Sequence, residues 1–337
     1  MAEVFVARLG EVALKAESTK GTKVVNANLV DGTLSKHRVY NLRYDPDVQL
    51  HERGTASASL SRWPHLVGRA LGKISFETEL RHTAAAITED ADGELFSAAG
   101  FDITSGVYKP TSDQSDHKTL NIYAMLGGDG TAGTNTVRYG LRGAMANLTI
   151  IGEVGKPVML AWEFFGVSET ADEASPPLNT HNLKPTDDSL NTITHETGVP
   201  AIFQGVAFTW AAVTKRLGRF ELALNNTVVP RDDVSSLNGC LHYVITNRNP
   251  VMKIDPDAGL VADGNNFLDT LNAGTEVAIA WSLAQTTPAR TIAFAAPKAQ
   301  IITCTDAERN GFATKDITAA LNKSAEPGDD EFTITWT

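Results

Sequence analysis

Alternation with a period of two is the feature that most constrains this chain. In ISFETEL, Ile74, Phe76, Thr78 and Leu80 share one face, while Ser75, Glu77 and Glu79 share the other. VAFTW groups Val206, Phe208 and Trp210; VAIAWSL groups Val277, Ile279, Trp281 and Leu283; the closing EFTITWT groups Phe332, Ile334 and Trp336. Successive side chains of an extended strand point to opposite faces, so this pattern predicts half-buried antiparallel strands. VMLAWEFFG is apolar on both faces and reads as a central strand. Helical signals are few. The best is ADGELFSAAG, where Asp92 can cap, Leu95, Phe96 and Ala99 give an apolar side, and Gly100 ends the turn. The fold class expected is all-β, with a few short helices.

Two stretches resist regular structure. Ser168–Thr197 is rich in Pro, Ser, Thr, Asn and Asp, the composition of a linker or long loop, and Gly127–Thr136 (GGDGTAGTNT) reads as a hairpin tip. On either side of the linker the chain echoes itself. RALGKISFETEL resembles KRLGRFELAL, LNIYAML answers VAIAWSL, and TVRYGLRGAMANLTIIGEVGK answers TIAFAAPKAQIITCTDAERNG. The echoes come in order and at similar offsets, which suggests two tandem related β modules, 1–167 and 198–337, joined by 168–197. Within the third echo, YGLRGAMANLTI lies between strand patterns and its counterpart contains a proline. Gly140 and Gly143 therefore suit a bend or bulge rather than a helix.

The 337 residues suffice for one large domain or two ordinary ones, and no apolar run is long enough to span a bilayer. MAEVFVARLGEVALKAE has early acids and no apolar h-region, so no secretion signal is expected in it. Cys240 and Cys304 read as small buried hydrophobes rather than a disulfide or a zinc site. A net charge of −11 argues against a sequence-reading nucleic-acid binder, which needs a basic face to neutralise phosphates. It is compatible with a surface past which nucleic acid slides, because like charges repel.

Candidate chemistry dissolves on inspection. GGDGTAG lacks the Gly-Lys-Ser/Thr of a phosphate loop. Counted from Asp255, IDPDAGLVADGNN has Leu260 where a calcium loop needs glycine and Asn266 where it needs glutamate; EDADGE fails similarly. The eight histidines show no metal spacing, and no nucleophile elbow occurs. The sequons at Asn147, Asn225 and Asn322 are accidents of composition. Neither a catalytic residue nor a cofactor or metal is expected. Arg53, Arg62, Arg69, Lys73, Lys215, Arg216 and Arg219 supply local basic charge, suited either to acidic patches on identical neighbours or to plain solvated loops.

The order of segments then matters more than any motif. RGTASASLSRWPHLVGRALGKISFETELR, GELFSAAGFD, SGVYKPTSDQSDHKTLNIYAM and RYGLRGAMANLTIIGEVGKPVMLAWEFFG together resemble the first half of a bacteriophage tail tube protein of the long-tailed (siphophage) kind. RLGRFELALNNTVVPRDDVSSLNGCLHYVITNRNPVMKIDPD and AAPKAQIITCTDAERNGFATKDITAALNKSAEPGDDEFTITWT continue the likeness, which covers roughly residues 40–337.

The resemblance implies a sandwich or barrel-like tube fold in a virion protein made in the cytoplasm of a bacterial host. Subunits close into rings of three with pseudo-sixfold symmetry, or of six, and the rings stack into a channel for DNA ejection. Partners implied are further copies of the chain, a tape measure protein inside, and terminator and baseplate proteins at the ends, with no membrane contact. Glu77 and Glu79 become candidates for the lumen wall, where carboxylates repel phosphate. These seven cations become candidates for contacts between subunits or rings, as do the loops Val39–Leu66 and Ser168–Thr197. The second reading is a carbohydrate- or receptor-binding β-sandwich using Trp63, Trp162, Trp210, Trp281 and Trp336. Four of those five sit in strand patterns, where core packing is the usual role.

Overall fold

A computed structural model describes residues 11–22, 35–37, 39–54, 63–81, 91–126, 137–168, 200–236, 238–285 and 290–337. Arg62, the Gly127–Thr136 tip and the Ser168–Thr197 stretch beyond Ser168 lie outside the described residues.

The chain is all-β, as the alternation requires. In order come β1 (Glu11–Ala16), β2 (Ser35–His37), β3 (Tyr40–His51), β4 (Leu66–Glu79), α1 (Ala91–Ala98), β5 (Phe101–Thr104), β6 (Val107–Pro110), β7 (Leu120–Leu126), β8 (Val137–Glu153) and β9 (Met159–Ser168). There follow β10 (Phe208–Trp210), β11 (Val213–Lys215), β12 (Leu217–Ala223), β13 (Thr227–Asp232), β14 (Cys240–Asn247), β15 (Val251–Pro256), a 3-10 turn (Val261–Asp263) and α2 (Phe267–Ala273). The last strands are β16 (Glu276–Gln285), β17 (Arg290–Arg309), β18 (Phe312–Leu321) and β19 (Thr333–Trp336).

One antiparallel run organises the molecule: β3, β4, β9, β8, β12, β15, β18 and β17 pair edge to edge in that order. Two long strands leave it. The N-terminal half of β8 pairs β7, which pairs β1, while the C-terminal half pairs β12. The N-terminal half of β17 lies between β16 and β19, while the C-terminal half pairs β18. The apolar strand VMLAWEFFG is β9, central between β4 and β8.

YGLRGAMANLTI is part of the single 17-residue strand β8, not a junction between two strands. Of its two glycines, Gly143 marks a bulge, with φ +57° where the register opposite β7 slips at Arg142–Gly143, whereas Gly140 pairs regularly with Tyr123. Opposite β16, β17 slips at Pro297–Lys298, a site where proline's missing N–H is tolerated.

Aligned on these slips, the pairings run in parallel. β3-β4-β9-β8-β7-β1 has the same order as β12-β15-β18-β17-β16-β10. Met145, Phe165 and Lys73, paired across three strands, correspond to Gln300, Ala320 and Val251. Stepping along β4 and β15, Ile74 matches Met252, Phe76 matches Ile254 and Glu77 matches Asp255; the inward pairs are all buried. LNIYAML and VAIAWSL correspond as their sequences suggest. By pairing, however, the counterpart of β4 is β15, and β12 corresponds to β3, so the likeness of RALGKISFETEL to KRLGRFELAL does not follow the sheet.

The inward faces meet in one aromatic core. Phe96 of α1 stands edge-on to Phe101, Tyr108, Trp162 and Trp336, while Phe220, Trp281, Phe294 and Phe332 continue the cluster. Trp162, Trp210, Trp281 and Trp336 are buried, and Trp162 Nε1 donates to Thr78 Oγ1 at 2.9 Å. The hairpin β13–β14 lies on the other face of β8 and β9, closing a second cluster with Leu71, Met145, Val167 and Tyr243. Cys240 is buried there, Cys304 is half-buried in β17, and both are free thiols.

Candidate assembly surface

Three features of the surface stand out. The first is an arm. From Pro46 onward β3, and up to Gly68 the facing part of β4, are solvent-exposed on both sides. Leu50 is 59% exposed, Leu66 54% and Val67 71%, with Val48 and Trp63 also exposed. The Arg53 guanidinium sits 5.3 Å over the Trp63 ring. Apolar side chains grouped this way mark an interaction site, since scattered single ones are the norm.

The second is the outward face of the eight-strand run. Alternation carries Glu77 and Glu79 there, along with Glu163, Glu221, Asp255, Asp257 and Asp316 from neighbouring strands. Five cations on this face are paired: Arg43 with Asp45, Lys73 with Glu163, Arg219 and Lys253 with Glu221, and Arg309 with Asp255 and Asp257. Glu79 pairs with Arg81 and accepts from Tyr40 Oη at 2.8 Å. Glu77 accepts from Asn41 Nδ2 at 3.1 Å. Beyond the part that the β13–β14 hairpin covers over Leu71, Met145 and Val167, the face is therefore polar and net negative, with these five cations neutralised.

The third feature is a pair of open edges. Beyond Gln300, where β16 stops, β17 continues to Arg309 with a strand on one side only among the described residues. At the other end of the run β3 pairs β4 and no other strand among the described residues.

The basic residues expected at contacts fare differently. Arg53 and Arg216 are exposed, and Arg69 pairs with Asp232 on the β13–β14 hairpin at 2.8 Å. Lys73 and Arg219 belong to the paired face. Lys215 is internal: its ammonium donates to Asp263 O, Gly264 O and Asn265 Oδ1 at 2.8–3.1 Å and lies 5.5 Å from the Phe267 ring centre. Burial pushes its pKa down, opposed by Asp263, and its charge is used within the subunit. Among the described residues no group of three or more His, Cys, Asp or Glu is placed to hold a metal ion, and no helix is long and apolar enough to cross a membrane.

No family model and no curated protein matches this chain. Its role has to be argued from the geometry.

Sequence reasoning missed two parts of that geometry. One is Glu17, a half-buried carboxylate that accepts from Gly21 N, Thr119 Oγ1, Asn121 Nδ2 and Gly143 N at 2.5–2.6 Å. Burial pushes its pKa up, against those hydrogen bonds and the nearby Arg142. Its donors are scattered over more than a hundred positions, so no local motif announces it. The other is the overhang of β17, legible only as the length of an alternating run whose partner is shorter.

Proposed function

We propose that this chain is a structural ring subunit of the phage tail tube kind, and that its long sheet lines a channel for DNA. The observation that carries the reading is the outward face of the eight-strand run. A wall past which a polyanion must move has to avoid gripping phosphate. Free lysines and arginines would bind it and release counterions. Here Arg43, Lys73, Arg219, Lys253 and Arg309 are each matched by a carboxylate, and Glu77 and Asp316 add uncompensated charge.

Two further features support it. The doubled order of pairings favours two tandem related modules, and hence a ring of three with pseudo-sixfold symmetry over a ring of six. Each chain brings an eight-strand run; three would give a barrel of about twenty-four strands. With strands about 4.8 Å apart and tilted by about 40°, that barrel is roughly 45–50 Å across at the backbone. Barrels of about 22 strands already enclose a lumen wide enough for a plug, so a duplex has room. The apolar arm of β3 and β4 suits contact with a neighbouring subunit or ring, tape measure, terminator and baseplate proteins completing the tail of the virion.

Electron microscopy of the concentrated protein tests the reading. Rings or tubes are expected. A species that stays monomeric at every concentration overturns it. Neutralising Glu77 and Glu79 tests the lumen assignment: assembly persists and DNA ejection slows, whereas ejection at the wild-type rate removes those two residues from the wall.

A further inference from the structure

The junction between β8 and β12 joins the two pairing series within one chain. Inside the chain, Thr149–Glu153 of β8 pair with Arg219–Ala223 of β12: Thr149 faces Ala223, Ile151 faces Glu221, and Glu153 faces Arg219. By pairing, β17 is the counterpart of β8 and β3 of β12. The hairpin β8–β9, with Ile151 opposite Met159, matches β17–β18, with Ala307 opposite Thr314. Thr149–Glu153 thus correspond to Thr305–Arg309. On the other strand, β3 and β12 both slip register near their starts, after Tyr40 and after Leu217, and Arg219–Ala223 correspond to Asn41–Asp45.

Both counterparts are open. Thr305–Arg309 have β18 on one side and no strand on the other among the described residues, and Asn41–Asp45 have β4 alone. The burial difference points the same way. Phe220 and Leu222, covered by β8, are fully buried, while their counterparts Leu42 and Tyr44 reach the core only in part. A row of unpaired backbone N–H and C=O groups is a ready template for a strand of another chain.

We propose that β17 of one copy pairs antiparallel with β3 of the next, in the register of the internal junction. Asp45 then faces Thr305, Tyr44 faces Asp306, Arg43 faces Ala307, Leu42 faces Glu308 and Asn41 faces Arg309. The contact is head-to-tail, so it closes a ring or winds a helix rather than making a two-fold dimer. It continues the eight-strand run across the boundary and removes both edges at once. The side-chain sizes are complementary as well. At the internal junction the Phe220 ring lies on Gly152, where a Cβ would come within 2.1 Å of it. At the boundary the smaller Leu42 meets Glu308, and no glycine is needed. This inference rests on the ring reading above and adds to it the two edges and their register.

Paired cysteines test it in the full-length chain, in a Cys304→Ala background so that the thiol beside the edge does not compete. Arg43 and Ala307 both face away from the core, and directly opposed Cα atoms fall within the range a disulfide spans. Arg43→Cys with Ala307→Cys should convert most of the chain into covalent oligomers on mild oxidation. Each single variant should give none. Arg43→Cys with Thr303→Cys is displaced by four residues, about 13 Å along the strand, beyond disulfide reach. Negative-stain images of the unoxidised protein run alongside. Cross-linking at 43/307 above the displaced pair supports the register. Rings or tubes without that cross-link overturn the register and leave the ring reading standing; monomers without any cross-link overturn both.

Discussion

The closed junction β8–β12 and the open edges of β17 and β3 are built from corresponding strands, yet their side chains differ. On the closed side, Phe220 and Leu222 are fully buried and Gly152 makes room for an aromatic ring. On the open side, Leu42 and Tyr44 are half covered, and β17 carries Asp306 and Glu308 where β8 has Ile150 and Gly152. An edge that must exist in water before it finds a partner is tuned for solubility; one formed once, within a chain, is tuned for packing.

The largest effects should come from breaking the closed side. Phe220→Ala empties a site ringed by Phe203 and Trp281 and should cost about 3–5 kcal/mol in urea unfolding of the subunit. Gly152→Ala drives a methyl into the same ring and should cost about 1–3 kcal/mol. Leu42→Ala, at the corresponding open position, should lower subunit stability by only about 1 kcal/mol, because its side chain is half exposed beforehand. Its main effect should be on association, seen as a higher concentration needed for rings. Equal losses of subunit stability for Phe220→Ala and Leu42→Ala would remove the distinction between the two sides.

The fold was legible from residues to the extent that periodicity is local. ISFETEL, VAIAWSL and EFTITWT became β4, β16 and β19 with the alternating faces they advertise, and ADGELFSAAG became α1. YGLRGAMANLTI shows the limit. Gly143 was legible as a bulge while Gly140 pairs regularly with Tyr123, but a bulged strand and two strands joined by a bend share one pattern, and only the successive pairings to β7, β9 and β12 tell them apart. The echo of RALGKISFETEL in KRLGRFELAL misled for a related reason. Short alternating runs with Leu, Gly and a cation resemble one another wherever they occur, while pairing order follows the whole chain. The charges were less legible still, since whether Lys215 is a surface cation or an internal one depends on three acceptors near position 264.

Lys215 and Arg216 make the next comparison, two adjacent cations that the sequence cannot separate. Lys215→Met leaves the carbonyls of Asp263 and Gly264 and the Asn265 amide without their donor, and should cost about 1–3 kcal/mol. Arg216→Ala is expected within about 0.5 kcal/mol of wild type, as for other exposed positions. Thermal unfolding of both variants checks this, and a neutral Lys215→Met would show that its acceptors find water instead.

The bulges of β8 and β17 give the subtlest test. In β8 the Gly143 N–H points to the half-buried Glu17 carboxylate; in β17 the corresponding bulge holds Pro297, which has no N–H, beside Lys298, which pairs with Glu276 at 3.5 Å. The first site ties a bulge N–H to a carboxylate whose pKa burial shifts. Burial raises the Glu17 pKa above its unfolded value of about 4.5. A raised carboxyl binds its proton more tightly in the folded state, so the stability it contributes is full below about pH 4.5 and declines as pH rises through the folded value. Wild type should therefore lose its advantage over Glu17→Gln as pH increases from about 4.5 toward neutrality. Gly143→Ala should cost about 1–2 kcal/mol for its positive φ, more because the methyl meets His242, and at every pH. Chemical unfolding across pH separates the two. A constant gap between wild type and Glu17→Gln would mean that the carboxylate keeps an ordinary pKa, and the two bulges would then differ in shape alone.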